Sequence, residues 1–191
     1  PDEKFDDAMG VSTGAAVIFG ATGGVMEAAL RTAADLLEGK DLESIEYKEI
    51  RGTEGFKEAV YKVAGMDVKV AVVSGLSNAD ALLKKVRAGE ADYHFIEVMG
   101  CPGGCITGGG QPRPQEDINI VRQKRMEAIY GEDERKIVRK SHENQSLMNF
   151  YKEWGDGKGP GCHASHEYLH THYVKRGKYN ELTTENFVVN K

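Results

Sequence analysis

Two thiols four residues apart lie within the stretch Met99-Gly100-Cys101-Pro102-Gly103-Gly104-Cys105-Ile106-Thr107-Gly108-Gly109-Gly110-Gln111-Pro112. At that spacing, Cys101 and Cys105 are suited to share one soft metal centre, because thiolates are the ligands that iron–sulfur clusters select. Pro102 stiffens the loop. The glycines around it let backbone N–H groups approach sulfur, and they leave room for a bulky group beside the main chain. A disulfide or half of a zinc site would be plainer uses of the pair, but neither needs so much glycine. A four-iron cluster normally takes four Cys thiolates, and this chain has three cysteines in all, Cys101, Cys105 and Cys162. It therefore cannot hold an all-Cys cluster alone. A His, an exogenous ligand or thiolates on sequence outside this chain must complete the set.

Two further patterns could carry chemistry. Gly20-Ala21-Thr22-Gly23-Gly24 lies between an apolar run and a helix, where backbone N–H groups can cradle an anion. Gly20 and Gly23 match the first two glycines of a dinucleotide turn, but Met26 stands at the third position, where a side chain hinders close helix–strand contact. A tight packing turn is the plainer reading. His166-Glu167-Tyr168-Leu169-His170 is a literal H-E-x-x-H, which on a helix sets two imidazoles on one face, as in zinc proteases. Tyr173 and Arg176 break the longer metzincin pattern, and nothing singles out Glu181 or Glu185 as a third ligand. A short helix with ordinary histidine hydrogen bonds accounts for it equally.

The elements that must position these residues read as α/β: a mixed sheet with flanking helices and an inserted β-hairpin, followed by a helical C-terminal segment and tail. Residues 15–19 form a short apolar run that reads as a strand, with Thr22 capping a helix that Gly39 ends. Residues 44–50 alternate with period two. Residues 58–63 and 68–74 bracket Gly65-Met66-Asp67 as a hairpin, and Val70 to Val73 has the unbroken apolar character of a strand covered on both faces. Asn78 caps a helix to about Arg87, and Tyr93 to Met99 is a strand running straight into the thiol loop. Helices follow over 115–130 and about 143–153, then a flexible glycine joint at 155–161, a short His-rich helix and a polar tail. The expected division is 1–113 for the lobe carrying the thiol loop and 114–191 for the helices and tail packed on it.

Composition sets the outer bounds. The 191 residues carry 25 basic and 30 acidic side chains, a net charge of −5, which excludes nucleic acid as the main partner for want of a concentrated basic face. The basic cluster Lys175-Arg176-Gly177-Lys178 reads as a solvated turn. No apolar run approaches the ~20 residues of a membrane-spanning helix. Glycine numbers 23, about 12% against a usual ~7%. Three thiols make no disulfide framework, so a reducing compartment is expected. Pro1 in place of an initiator Met points to a removed N-terminus or to a piece of a longer protein.

With these residues in view, a family resemblance emerges. Residues 99–112 resemble the third cluster-binding signature of the iron-only (diiron) hydrogenases, residues 12–29 the segment that precedes it in that family, and Ser165 to Tyr173 the tail of its catalytic subunit. The resemblance implies that Cys101 ligates a four-iron cluster and that Cys105 bridges this cluster to a diiron subcluster carrying CO, cyanide and a dithiolate. It also implies that Met99 packs against the diiron unit, and that Phe19 and Gly20 line the pocket around its CO ligands. The family's two earlier signatures, which hold the other thiolates, a proton-relaying Cys and a cyanide-holding Lys, do not occur here. The implied protein is thus the C-terminal half of a hydrogenase active-site domain, partnered by the N-terminal half of the same domain and by ferredoxin-like or NAD(P)-linked electron-transfer modules. Alone, this half is expected to hold no complete H-cluster and to show no turnover. A tail continuous with the signature favours a cytoplasmic form. A non-catalytic relative of the cluster-assembly or sensory type shares parts of the signature and remains open, and Cys162 has no implied ligand role.

Overall fold

The computed structural model describes residues 3, 9–43, 46–172 and 174, which group into two compact units, Pro1–Leu147 and Met148–Lys191. Lys175 to Lys178 and the rest of the tail lie outside the described residues. In chain order the elements are α1 (Gly14–Val17), α2 (Gly24–Glu38), β1 (Phe56–Val63), β2 (Met66–Ser74), α3 (Leu76–Arg87), β3 (Phe95–Met99), α4 (Ile118–Arg135) and α5 (Gln145–Trp154).

The sheet has the order β1-β2-β3. β1 and β2 pair antiparallel from Phe56↔Val73 to Val63↔Met66, and the turn between them places Ala64 and Gly65 at φ of 50° and 76°, the left-handed pair a tight hairpin needs. The turn thus precedes the expected one, and Met66 and Asp67 already belong to β2. β2 then pairs parallel with β3 through the α3 crossover, from Val70↔Phe95 to Ser74↔Met99. Val70 and Val72 point to one face, where they pack with Met26, Leu30, Tyr47 and Ile50. Ala71 and Val73 point to the other, against Ala79 and Leu82 of α3. Both faces of β2 are therefore covered, which explains its unbroken apolar run.

The mixed sheet with flanking helices and inserted hairpin matches the expectation, but several local assignments change. Residues 15–19 are not a strand. They form α1 and the 3₁₀ turn Ile18–Gly20, because the Thr13 side chain accepts from Ala16 N at 3.1 Å and caps a helical turn. The run is apolar because Ala15 and Ile18 pack with Ile106, Met126 and Tyr130, not because it is hydrogen-bonded into a sheet. Residues 48–50 are likewise a 3₁₀ turn, with Tyr47 and Ile50, three apart, both turned into the core. Gly75, not Asn78, precedes the first turn of α3, and the Asn78 side chain donates to Ser74 O at 2.8 Å. α4 starts three residues later than expected, where the Asp117 carboxylate accepts from Asn119 N at 2.7 Å.

In the smaller unit the glycine joint is built from hydrogen-bonded turns, with Gly155 and Gly157 N both donating to Tyr151 O. Cys162 is buried there, its sulfur accepting from Ser165 N at 3.4 Å, and Trp154 meets Tyr168 edge-on with ring centroids at 5.6 Å. No described helix is long and apolar enough to cross a membrane.

Candidate functional site

The loop carrying Cys101 and Cys105 leaves the carboxyl end of β3, where an α/β sheet presents its ligands. Both thiols are exposed and free. Their loop is nevertheless held from three sides. Gly75 N donates to Met99 O at 2.8 Å as β3 ends, Gly103 N donates to Ser74 Oγ at 3.2 Å, and Thr22 N donates to Gly103 O at 3.1 Å. Within the loop, Gly104 N closes on Cys101 O at 3.0 Å and Gly108 N on Cys105 O at 3.0 Å. Beyond it, Ile106 is buried among Ala15, Ile18, Ala21 and Met126, which anchors the second thiol's neighbour in the core. From α4, the Arg125 guanidinium donates to Ile106 O at 2.7 Å and Pro112 O at 2.9 Å, tying down both ends of the glycine run.

Gly104 is where the expected site residues converge. A Cβ on it would stand 2.8 Å from Gly20 O, 2.8 Å from Thr22 N and 3.0 Å from Met99 Sδ, and its φ is +94°. Main chain can approach main chain this closely only without a side chain. The structure thus gathers Gly20, Met99 and the Cys101–Cys105 loop around one point. Phe19, next to Gly20, is 47% exposed. Gly108 lies against the first thiol, since its Cβ position is 3.8 Å from Cys101 Sγ, while Gly100, Gly109 and Gly110 face open space. Gly104→Ala should therefore destabilise the chain by about 2–4 kcal/mol in urea denaturation, through backbone strain and main-chain contacts that cannot relax, whereas Gly109→Ala should stay within ~0.5 kcal/mol. Equal midpoints for the two variants would contradict this account of the loop.

The other two patterns do not build sites. Among the described residues no strand precedes the Gly20–Gly24 turn, and Gly23, at φ +92°, takes the position expected for a capping Thr22. The N-terminus of α2 is already occupied by the protein's own anion. Glu97, buried on β3, accepts from Gly23 N at 2.7 Å with Oε1 and from Met26 N at 2.7 Å with Oε2, leaving a phosphate no claim on those donors. His166 lies on a π-type turn, Ser165–Leu169, and His170 just past its end in extended backbone, with their ring centroids 5.2 Å apart. Among the described residues no group of three or more His, Cys, Asp or Glu side chains is placed to hold a metal ion, so the H-E-x-x-H gains no third ligand.

Sequence reasoning passed over Glu97, Lys57, Arg122 and Arg125. Lys57 is 8% exposed and donates to Thr22 O at 3.1 Å and Gly52 O at 2.8 Å, and burial pushes its ammonium down to about 8 despite the opposing pull of Glu97 and Glu54. The Arg122 side chain lies along Gly103, with its Nε buried and unpartnered. No local pattern marks Lys57 or Glu97: β1 and β3 each carry several exposed positions, and a charged residue in such a strand reads as solvent-facing.

Comparison with known proteins places these features in context. Residues 1–109 match the family model described as iron only hydrogenase large subunit, C-terminal domain, and residues 119–176 match that of the iron hydrogenase small subunit. The NADP-reducing hydrogenase subunit HndD of Solidesulfovibrio fructosivorans is 50% identical over 176 residues, 92% of this chain and 29% of that protein. Protein NAR1 of Arabidopsis thaliana is 32% identical over 82% of this chain and 33% of its own length. Among solved structures, a single-residue variant of the [FeFe]-hydrogenase HydA1 from Chlamydomonas reinhardtii superimposes with a TM-score of 0.66 at 39% identity, covering 91% of this chain and 50% of that one. The chain thus spans about a third of the curated relatives it matches and half of the solved chain.

Proposed function

The chain belongs to the iron-only hydrogenase family, whose large-subunit model it matches over residues 1–109, and from that premise we propose that it is the C-terminal half of a hydrogenase active-site domain. In the intact protein that domain interconverts dihydrogen with protons and electrons. The observation that carries the reading is the pair of exposed thiols on a glycine loop seated against Gly20, Thr22 and Met99. Two soft donors with open main chain beside them fit a four-iron cluster as half of its thiolate set, and the N-terminal half of the same domain provides the rest.

When bound, the four-iron cluster and its diiron subcluster supply the redox chemistry of dihydrogen. This chain's residues have the supporting roles. Cys101 would hold the four-iron cluster, and Cys105 would serve both that cluster and the diiron unit. Met99 offers a polarisable thioether beside the diiron unit, and Phe19 with Gly20 shields the pocket from water. Arg125 fixes the loop so that neither sulfur drifts. Electrons pass to ferredoxin-like or NAD(P)-linked modules, the second class being favoured by the NADP-reducing relative. The protein works in the cytoplasm, and the 191 residues alone bind no complete cluster and turn nothing over.

A second reading, an iron–sulfur protein of the cluster-assembly type, draws on the match to Protein NAR1, which extends across most of the chain at lower identity. Infrared spectra of the intact, matured protein separate the two. Bands from iron-bound CO and cyanide, together with hydrogen uptake, are expected of the hydrogenase. An iron- and sulfide-loaded protein lacking those bands would establish the second reading, and a stable cubane with gas evolution from the 191 residues alone would overturn the first.

A further inference from the structure

A buried polar chain leads from the hairpin into the cysteine loop, and nothing in the proposed function uses it. At one end is the Lys57 ammonium on β1, donating to Thr22 O at 3.1 Å and Gly52 O at 2.8 Å. Thr22 N donates in turn to Gly103 O at 3.1 Å, and the peptide so engaged carries the Gly104 N–H that donates to Cys101 O at 3.0 Å. On the other side of the same turn, the Gly23 and Met26 N–H groups end on the two oxygens of Glu97, each at 2.7 Å. Lys57 and Glu97 are both at least nine-tenths buried. A cation and a carboxylate from two different strands thus grip the two sides of the Thr22–Gly23 peptide, and the amide of the peptide just before it seats the loop between the two thiols.

We propose that Lys57 and Glu97 are positioning residues for the cysteine loop, clamping the Gly20–Gly24 turn so that its Thr22 amide holds the Gly103–Gly104 peptide between Cys101 and Cys105. The proposal deepens, and rests on, the reading of those thiols as cluster ligands. Lys57, the Thr22–Gly23 peptide and Glu97 form one hydrogen-bonded chain in a low-dielectric interior, where such bonds strengthen one another by roughly 10–30% per bond, so a change of charge on Lys57 loosens the hold on the residue whose amide seats the loop. Two carboxylates act on Lys57, Glu97 from β3 and Glu54 from the segment leading into β1. Because burial brings its ammonium down to about 8, mild alkali neutralises it. Its bonds to two carbonyls then pass from charge-assisted to neutral, and Glu97 loses its counter-charge. The loop therefore senses pH through its seat as well as through its thiols.

Amide NMR of the full 191-residue chain tests this in a Cys101→Ser/Cys105→Ser background, where thiol ionisation is absent and the outcome is independent of any cluster. Between about pH 6.5 and 9.5, the Gly23 and Gly104 signals should shift together with a midpoint near 8. Lys57→Met should abolish that midpoint, and Lys57→Arg, charged throughout, should hold both signals at their low-pH positions. Glu97→Gln should speed exchange of the Thr22 and Gly104 amides by about tenfold or more and leave the Val70 and Val72 amides of β2 as protected as before. Flat Gly104 signals across the window, or unchanged exchange in Glu97→Gln, would overturn the proposal. Should Lys57→Met fail to fold, the Lys57→Arg comparison and the titration of the parent chain decide alone.

Discussion

On the proposed function, replacing Cys105 by Ser in the intact protein is expected to lower hydrogen uptake by more than ~100-fold, and Met99→Leu by about tenfold at most. The ranking follows from what each atom is proposed to do. A sulfur shared between two iron centres is a direct ligand to both, and a serine oxygen is a harder donor that iron–sulfur chemistry does not select. Met99 is proposed only as an outer contact, and Leu conserves most of its volume, a swap that usually costs under about 1.5 kcal/mol. Outer contacts of metal sites cost ~10–100-fold when removed altogether, which bounds the methionine from above. Folding does not confuse the comparison. The Cys105 thiol is exposed and free, whereas the burial that anchors this segment comes from its neighbour Ile106. The serine variant should therefore melt like the parent chain while losing activity. Comparable hydrogen uptake by the two variants rules out the shared role of Cys105.

The thiol loop was legible because its information is local. Two cysteines, a proline and the glycines of 100–110 announce an exposed loop with room beside its main chain, and the end of β3 falls one residue before Gly100. The hairpin and the doubly covered β2 were legible for the same reason, since alternation and unbroken apolar character are properties of neighbours along the chain. What failed was any feature whose cause lies elsewhere in the sequence. Residues 15–19 carry a strand-like apolar run, but a core of α4 and Ile106 residues, not a neighbouring strand, makes them apolar. Thr22 has the right type for a cap. Its hydroxyl is buried without a partner in the structure, because a carboxylate 74 residues away in sequence from Gly23 already satisfies the helix N-terminus. A local code cannot name Glu97, which looks like an ordinary acidic residue in a strand. The dinucleotide reading of the turn fails on the same fact, for the anion it would bind is built into β3.

Asp133→Asn and Arg31→Met should each destabilise the chain by about 3–5 kcal/mol, lowering its melting temperature by about 10 °C or more, because each breaks a two-pronged buried pair and leaves a buried ion network with one charge in excess. Arg31 and Asp133 are fully buried and form a two-pronged pair, Nη1 to Oδ1 and Nη2 to Oδ2, both at 2.8 Å. Arg31 also reaches Glu27 at 2.9 Å, Arg139 joins Asp133 and Glu46, and Arg51 joins Glu27 and Glu46. Among the described residues three arginines and three carboxylates of this network balance, so any single neutralisation unbalances the set. Burial alone would raise the Asp133 carboxyl, but hydrogen bonds from Arg31 and Arg139 outweigh it and hold the group below its ordinary value. A carboxyl held lower in the folded chain than in the unfolded one stabilises above about pH 4 and loses that contribution as pH falls through its folded value. Asp133→Asn should accordingly flatten the acid limb of the stability curve as well as lower its plateau. Glu132→Gln, which touches only an exposed pair with Arg135 and Lys136, should leave the melting temperature where it is. The network also has a place in the architecture, for Glu27 and Arg31 lie in the part that matches the large-subunit family, and Asp133 and Arg139 in the part that matches the small subunit. Lys140, reaching Asp35 at 2.6 Å, repeats the stitch one turn further along α2. The loop between the two matched parts is therefore spanned by buried charge on both sides. On this account, a chain cut between residues 109 and 119 should stay assembled near neutral pH, and the same cut chain carrying Asp133→Asn should come apart.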